Sequence, residues 1–373
     1  MVDLGVSDNK KEEYAMHLCK DIYLTAALLA LLLPAKAISQ TNPSELAALS
    51  LEELLGINVY GENSLLEGNR WFLQYAYRSL EVGGYQHGTN RLGLDDVSFS
   101  PGSPRTASNY PVVPTEITQK IHAFSTGYRF SESFSVSVSV PMIEQNTDHL
   151  SIVPGFSEFK ISTDGIGDIA LNGSYILPSS GSQIYSVNVG VSLPTGSIDE
   201  VGDTPRNGPG TFERLPYTMQ LGSGTYDLLL STNFSNSGQV IDYGASLNST
   251  IRQGTNDNDY RLGNNFGLRG WARYRWNQRF QPGIAVSFRH TDDIQGMDLG
   301  LTVPGPFPFP ASITDPDNFG GRKAKVGLNA RICVQESCNL FFLVEINKPF
   351  YQDLNGIQIK EKTEIALSAK FSF

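Results

Sequence analysis

The sequence lacks a long uncharged apolar segment. Its 373 residues contain no run that reaches the roughly 18 apolar residues of a membrane-spanning helix, and the longest candidate, residues 22–35, has fourteen uncharged residues. Only 18% of the residues are charged, and Lys+Arg (28) fall short of Asp+Glu (38), which gives a net charge of −10. This acidic balance argues against nucleic acid as a partner. A hydrophobic content of 40% excludes global disorder.

Signatures of catalysis and metal binding are also missing. The chain has no G-x-S-x-G segment, no P-loop, and neither the H-E-x-x-H nor the H-x-x-x-H zinc spacing. We therefore expect no enzyme activity, no cofactor and no metal site. A lipase-type reaction at His290, which lies beside Asp292 and Asp293, is the least favoured alternative, because a solvated histidine at a strand end is far more common.

The amino-terminal segment predicts export. Lysines precede the apolar run, and Ala35-Lys36-Ala37 follows it as a small-x-small end. These are the parts of a secretory signal peptide, which we place over residues 1–37. A start at Met16 and a buried helix of a soluble domain stay open as alternatives. Residues 38–69 would then form a periplasmic segment with a short leucine-rich helix.

Cysteine usage agrees with export. Cys19 lies in the signal peptide, so cleavage would leave Cys333 and Cys338, which have four residues between them. In an oxidising compartment we expect them to form a disulfide, with two free thiols as the alternative.

From Trp71 onward, apolar and polar residues alternate with period two, which is the pattern of strands with one apolar face. The candidate strands are 70–81, 116–130, 133–144, 164–177, 183–193, 224–235, 239–252, 262–276, 280–290, 322–333, 338–347 and 362–373. Most are longer than the strands of a soluble sandwich, which would show the same period, and they suit tilted membrane crossings. Short connections alternate with long ones at 82–115, 145–163, 194–223, 253–261, 291–321 and 348–361. This plan predicts an all-β fold, an antiparallel transmembrane β-barrel of about 12 strands over 70–373, with both termini at the short-turn, periplasmic end.

Aromatic residues support a membrane location. They gather near predicted strand ends, as the girdle of an outer-membrane barrel requires, although ordinary core packing would also use them. The chain ends on Phe373, and an aromatic last residue resembles the signal that the barrel assembly machinery recognises. We expect that machinery, outer-membrane lipid and lipopolysaccharide as partners.

Three segments resemble one known family. Asp164–Leu171 resembles a "GxGDxxL" motif, Val191–Ser197 an "LPTG" motif and Leu221–Leu228 an "LGTGxxD" motif. Their order and spacing are similar to those of the outer-membrane barrel family named for the meta-pathway of phenol degradation. The resemblance covers about 164–235 and implies a barrel that passes aromatic or other apolar compounds. Asp168 and Asp227 fall on the polar face of their predicted strands, which would face the lumen. There we expect them to form hydrogen bonds with backbone groups rather than to bind substrate.

If the apolar face of each strand contacts lipid, the alternate residues face the lumen. On three neighbouring strands these inward residues include seven cations. They are Arg269, Arg273, Arg275, Arg289, Lys323, Lys325 and Arg331. The candidate counter-charges are Asp168, Asp227, Asp242, Glu345 and Glu364. Inward placement is favoured because a charge facing lipid at mid-bilayer costs roughly 2–4 kcal/mol. Two interpretations stay open: an open pore with a charged wall, or an ion-pair network that fills the barrel.

The predicted outer loop 291–321 carries a proline-rich apolar patch, in which Phe307 and Phe309 are candidates for a lip or constriction. The alternative is a stiff loop that packs on its neighbours. Together these features predict a passive outer-membrane channel for small solutes, aromatic or hydrophobic in kind. The alternative is a structural or surface-recognition barrel with a charge-plugged lumen.

Overall fold

The computed structural model describes residues 70–179 and 181–373. The predicted signal peptide and periplasmic segment (1–37 and 38–69) lie outside the described residues. None of the helices in the described part of the chain combines the length and the hydropathy needed to cross a membrane.

The described residues form seventeen strands and a few short helices. The strands are β1 (Trp71–Gly88), β2 (Asn90–Leu92), β3 (Val112–Arg129), β4 (Phe134–Ser151), β5 (Glu158–Ile166), β6 (Ile169–Leu177), β7 (Gln183–Leu193), β8 (Val201–Asp203), β9 (Phe212–Arg214), β10 (Tyr226–Ser237), β11 (Ile241–Gln253), β12 (Tyr260–Arg261), β13 (Asn265–Tyr274), β14 (Phe280–Thr291), β15 (Gln295–Gly296), β16 (Gly321–Cys333) and β17 (Leu340–Ser372). The helices are α1 (Leu94–Val97) and 3₁₀ turns at Tyr217–Met219, Leu299–Leu301, Ser312–Thr314 and Pro316–Asn318.

One antiparallel sheet closes on itself. Its thirteen strands include β2 and β5, which pair on one side only, and the remaining eleven form a ring that β17 closes by pairing with β1. The strand β17 folds back near Leu354, which pairs both with Gly321 of β16 and with Gly88 of β1. Its two arms therefore run in opposite directions, and the wall has twelve crossings, which confirms the predicted barrel of about 12 strands.

The outer surface carries an apolar belt. Along β16 the outward residues from Ile332 to Ala324 are all apolar, and Val326 and Leu328 are exposed. Their neighbours on other strands include Val189, Leu247, Leu268, Ile284, Val286 and Ile346, all exposed. Nine strand residues span about 30 Å, which after tilting matches a lipid-facing band about 25 Å tall. The apolar rows face outward and do not meet across stacked sheets, so the sandwich alternative is wrong.

The two ends of the barrel differ in their connections. The short turns all lie at the end where the chain finishes, and there the backbone of Phe373 is hydrogen-bonded to that of Trp71, at 3.0 and 2.9 Å. Aromatic rings gather at this end, with the exposed Trp71 against the half-buried Tyr128 (4.8 Å between centroids) and the exposed Phe371 against the exposed Phe373 (5.3 Å). We refer to it as the turn end and to the opposite one as the loop end.

Several predicted outer loops are wrong in part, because strands continue beyond the belt at the loop end. β1, β3 and β4 have 18 residues each. Much of 82–115 and 145–163, and all of 348–361, is strand rather than loop. The single strand expected over 164–177 is also wrong, because the chain breaks at Gly167-Asp168. On one side of this break β5 pairs with the loop-end half of β4, and on the other side β6 pairs with its turn-end half.

Candidate functional site: the barrel interior

The inner wall carries a charged layer built by β13, β14, β16 and β17. All seven predicted cations line one of two internal cavities: Arg269, Arg289, Lys323 and Lys325 line one, and Arg273, Arg275 and Arg331 line the other. The period-two pattern places them there, since their strand neighbours in sequence are the apolar residues of the belt. The structure therefore brings the predicted cations together on one wall.

Most of these cations have acidic partners across the strands. Arg269 pairs with Glu345, and Arg275 Nη2 lies 2.7 Å from Asp242. Lys325 Nζ lies 3.0 Å from Glu364. The predicted counter-charges Asp242, Glu345 and Glu364 therefore belong to this layer.

The other cations of the wall make mixed contacts. Arg273 donates to Asn329 (3.0 Å) and lies over the ring of Trp271, 4.4 Å from its centroid. Arg331 lies 4.7 Å from the centroid of Phe341. Such cation–π contacts stabilise a guanidinium that burial has removed from water.

Sequence reasoning missed part of the layer. Arg78 of β1 lies 2.5 Å from Glu364, and Glu361 pairs with Lys325 and, at 3.8 Å, with Lys323. Arg78 lies on the same face of β1 as Gln74 and Ala76, which are buried. The alternation along β1 could therefore have predicted that Arg78 faces inward. Glu361 could not be found in this way, because it lies in a segment that was expected to be a loop.

The two cavities differ in size. The one at the turn end has a volume of about 550 Å³ and is lined by strand residues and by the turns at residues 237–239 and 336–338. The one between the charged side chains of the layer measures about 70 Å³. The cavity among the charged side chains is therefore much the smaller of the two.

Asp168 holds together the three motif segments. Its carboxylate accepts hydrogen bonds from the backbone N–H of Gly196 (2.9 Å) and of Ser223 (2.8 Å). Gly196 and Gly222 approach so closely that a side chain on either would collide with the backbone of the other. Asp168 therefore fixes the base of the loop between β7 and β10.

Asp227 lies beside this contact. It accepts a hydrogen bond from Thr225 Oγ1 (2.7 Å) and pairs with Arg252. Its partners are therefore side chains, and they lie directly before β10 and on β11 rather than on the cationic wall. Asp227 and Arg252 are both buried.

Two loops fold into the loop end of the barrel. From the loop between β7 and β10, Met219 packs with Leu215 and Ile161, and its carbonyl accepts a hydrogen bond from Thr163 Oγ1 (2.9 Å) on the inner face of β5. From the loop between β15 and β16, Ile313 packs on Val112. A further apolar cluster joins both loops: Tyr217, Tyr260, Leu262, Ile294, Leu301 and Phe319.

Burial perturbs ionisable groups of these loops. It raises the pKa of Asp315 to about 6, with the Asp317 carboxylate adding to the shift and the hydrogen bond from the Asp317 N–H opposing it. Burial also raises the pKa of Tyr217 to about 12. Burial therefore widens the pH range over which each of the two groups is neutral.

The constriction candidates Phe307 and Phe309 lie at the rim of the loop end. Arg105 lies 5.2 Å from the centroid of the Phe307 ring and donates to the carbonyl of Phe309 (2.9 Å). In the same loop, residues 311–314 are buried, whereas residues 307–310 are only partly buried. The role of the two phenylalanines in passage stays a prediction.

The remaining candidates are a cysteine pair and a histidine. Cys333 and Cys338 form a disulfide with their Cα atoms 4.9 Å apart. His290 Nε2 lies 3.1 Å from Asp292 Oδ1 at the loop end of β14.

An apolar pocket of about 170 Å³, which we call the mouth pocket, lies between the inner face of β3–β5 and the two inward loops. Val112, Phe159 and Ile161 line it from the wall, and Pro310 and Ala311 line it from the loop. Sequence reasoning missed this pocket because its sides come from segments far apart in the chain.

Comparison with known proteins identifies the architecture. No protein-family model matches the chain, and no curated protein matches its sequence. Among solved structures, an outer-membrane channel from Pseudomonas putida F1 matches with a TM-score of 0.55 at 11% identity, over 85% of this chain and 98% of the other.

Two further solved structures match less well. The Ralstonia pickettii toluene transporter TbuX matches with a TM-score of 0.41 at 10% identity, over 83% of this chain and 91% of the other. The translocator domain of the autotransporter NalP from Neisseria meningitidis matches with 0.40 at 7% identity, over 87% and 93%. The chain has the fold of outer-membrane β-barrels.

Proposed function

We propose that this protein is a passive channel in a Gram-negative-type outer membrane for small aromatic or other apolar solutes. The observation that carries the proposal is the mouth pocket, an apolar cavity between the inner wall and the inward loops of a barrel that also carries a layer of charged strand side chains. A lumen that passes only water-soluble molecules gains nothing from such a cavity, whereas small apolar ligands bind in concave, mostly apolar pockets.

In this proposal the turn end and both termini face the periplasm, and the loop end faces outward, as in other barrels with short turns at one end. Solute would reach the mouth pocket from outside, and lipopolysaccharide would surround the loop end. Recognition of Phe373 by the barrel assembly machinery belongs to the same proposal.

In this proposal the charged layer determines the ion selectivity of the channel. With Arg78, eight cations face Asp242, Glu345, Glu361 and Glu364, an excess of 8 − 4 = 4 positive charges among these groups. A wall with this excess repels small cations. We therefore expect any ionic conductance of the protein to be anion-selective.

A charge-plugged structural or surface barrel is the second candidate. It is favoured by the ion pairs that fill the layer and by the loops packed above it. Under this candidate the mouth pocket is a packing defect, and no solute crosses.

Uptake into cells tests the first proposal against the second. A Gram-negative host would carry the wild-type gene, an empty vector, or Ala311→Trp, which fills the mouth pocket. Leu299→Ala, at an exposed loop position, is the matched control. Initial uptake of radiolabelled ethylbenzene and of arabinose would be measured, and heat-modifiable gel migration would verify folding.

We expect the wild type and Leu299→Ala to raise ethylbenzene uptake several-fold over the vector, with Ala311→Trp near the vector and arabinose unchanged throughout. Ethylbenzene uptake equal to that of the vector would contradict the channel and favour the plugged barrel.

A further inference from the structure

The mouth pocket has the size of a single-ring ligand. Its volume is about 170 Å³, and an apolar protein cavity of about 150 Å³ stays dry and binds benzene. A proline and an alanine from the loop between β15 and β16 face Val112, Phe159 and Ile161 across it. The cavity therefore fits a molecule with one ring and few other atoms.

Four of the polar side chains that line the pocket already have partners. Thr204 and Arg206 both bind Glu213, the latter with Nε 2.9 Å from the carboxylate. Arg214 lies 3.0 Å from Asp298, and Thr314 Oγ1 donates to the carbonyl of Ala311 (2.8 Å). None of these four groups needs a ligand.

His149 differs from these residues. Its side chain lines the pocket and is buried, with 4% of the residue exposed. The backbone of Thr147 forms a hydrogen bond with the ring, which leaves one of the two ring nitrogens without a hydrogen-bond partner among the described residues. Stacking on Phe159, with centroids 4.5 Å apart and planes 7° apart, holds the ring in place.

An imidazole with unused hydrogen-bonding capacity in an apolar pocket is unfavourable, since a buried polar atom without a partner costs about 1–3 kcal/mol. A bare hydrocarbon would leave this cost in place. A ligand hydroxyl can donate to or accept from an imidazole nitrogen, so it removes the cost whichever tautomer is present.

We propose that the mouth pocket binds one single-ring apolar molecule that carries one hydroxyl group, with the ring against the apolar wall and the hydroxyl on His149. The role of this site in uptake rests on the proposed channel function, whereas binding itself does not. One hydrogen bond corresponds to a three- to tenfold preference over the same molecule without the hydroxyl, at about 0.6–1.4 kcal/mol.

Benzyl alcohol and ethylbenzene are a matched pair of probes, because they differ by a hydroxyl in place of a methyl group. Both would be titrated calorimetrically into the full chain in detergent, with protein-free micelles as the blank. His149→Phe keeps a ring that can stack on Phe159 and removes the nitrogens. His290→Phe, on β14 away from the pocket, is the control.

We expect His149→Phe to lower the affinity for benzyl alcohol relative to that for ethylbenzene three- to tenfold below the ratio of the wild type, and to bind ethylbenzene within twofold of the wild type. His290→Phe should keep the ratio of the wild type. Should His149→Phe fail to fold, ¹⁵N-histidine NMR of the wild type replaces it, and benzyl alcohol but not ethylbenzene should shift the His149 ring nitrogens.

An affinity ratio that is the same in the wild type and in His149→Phe, or ring nitrogens that do not respond to benzyl alcohol, would overturn the inference. If ethylbenzene is taken up but the affinity ratio does not depend on His149, the inference fails and the channel stands. If the ratio changes as expected but no solute is taken up, the channel fails and the site stands.

Discussion

The two halves of the barrel interior are built from different chemistry. Towards the turn end, strand side chains form ion pairs such as Arg275–Asp242 around a cavity of about 550 Å³. At the loop end, apolar residues from loops, such as Met219 and Ile313, pack on the inner face of the wall. The charged half is a property of neighbouring strands, whereas the apolar half is assembled from distant segments.

This difference separates two kinds of stabilisation. A buried ion pair is costly to break, because the partner left behind is an uncompensated charge. An apolar contact contributes in proportion to the area it buries. Substitutions in the two halves should therefore differ in size and in pH dependence.

The largest effect is expected in the charged layer. Glu364→Gln keeps the shape of the side chain but removes the charge that Arg78 (2.5 Å) and Lys325 (3.0 Å) face. We expect a loss of about 3–5 kcal/mol in the free energy of unfolding, measured by urea titration in lipid vesicles. Glu144→Gln is the control: its pair with Lys120 is exposed (45% and 38%) and should cost no more than about 1 kcal/mol. Equal losses in the two variants would contradict the internal network.

The next effect is expected in the apolar half. Ile313→Ala removes a buried side chain that packs on Val112, and such truncations cost about 2–5 kcal/mol. Because the contact belongs to a docked loop, hydrogen exchange at 311–319 should accelerate more than exchange in β13. Leu299→Ala, at an exposed position, should leave both rates unchanged. Uniform acceleration across the barrel would show that loop and wall unfold as one unit.

A smaller effect is expected from pH. Burial raises the pKa of Asp315 to about 6 from an ordinary value near 4, so its neutral form stabilises the docked loop. That contribution is fully present below about pH 4 and is lost as the pH rises through 6. Solvent contact limits the change to an order of 1–2 kcal/mol. Exchange at 311–319, corrected for intrinsic rates, should be slower at pH 5 than at pH 7.5. In Asp315→Asn this dependence should disappear, and its persistence would assign the effect to another group.

The smallest effect is expected at the rim. Arg105→Ala removes the guanidinium that lies 5.2 Å from the centroid of Phe307 and 5.4 Å from that of Tyr110. Partly exposed cation–π contacts are worth about 0.5–1 kcal/mol. Limited proteolysis of residues 303–310 should speed up by a few-fold, while the urea midpoint of the barrel stays constant. A large shift of the midpoint would mean that the rim supports the barrel.

The sequence predicts the belt and the cationic wall because lipid enforces alternation there. A misplaced Arg273 or Lys325 would face hydrocarbon, so parity alone gives the side. Beyond the belt this constraint ends: Lys348 is exposed on the outer face, and Glu144 forms its ion pair outside as well. Both faces of the strand are then polar or mixed, the alternation disappears, and 348–361 resembles a loop although its backbone pairs as a strand.

The inward loops and the mouth pocket could not be predicted for a different reason. Met219 and Ile313 become buried only because the chain brings them against β5 and β3, which lie far away in sequence. No local pattern distinguishes them from exposed apolar loop residues such as Leu299.

The central claim is that the outside of this barrel faces lipid and the inside does not. Spin labels at successive positions of β16, from Lys325 to Asn329, test it directly by their accessibility to oxygen, which dissolves in lipid, and to a water-soluble nickel complex. We expect high oxygen accessibility at 326 and 328, low values at 325, 327 and 329, and therefore a period of two. Equal accessibility along the strand, or nickel contact at 326 and 328, would contradict the account.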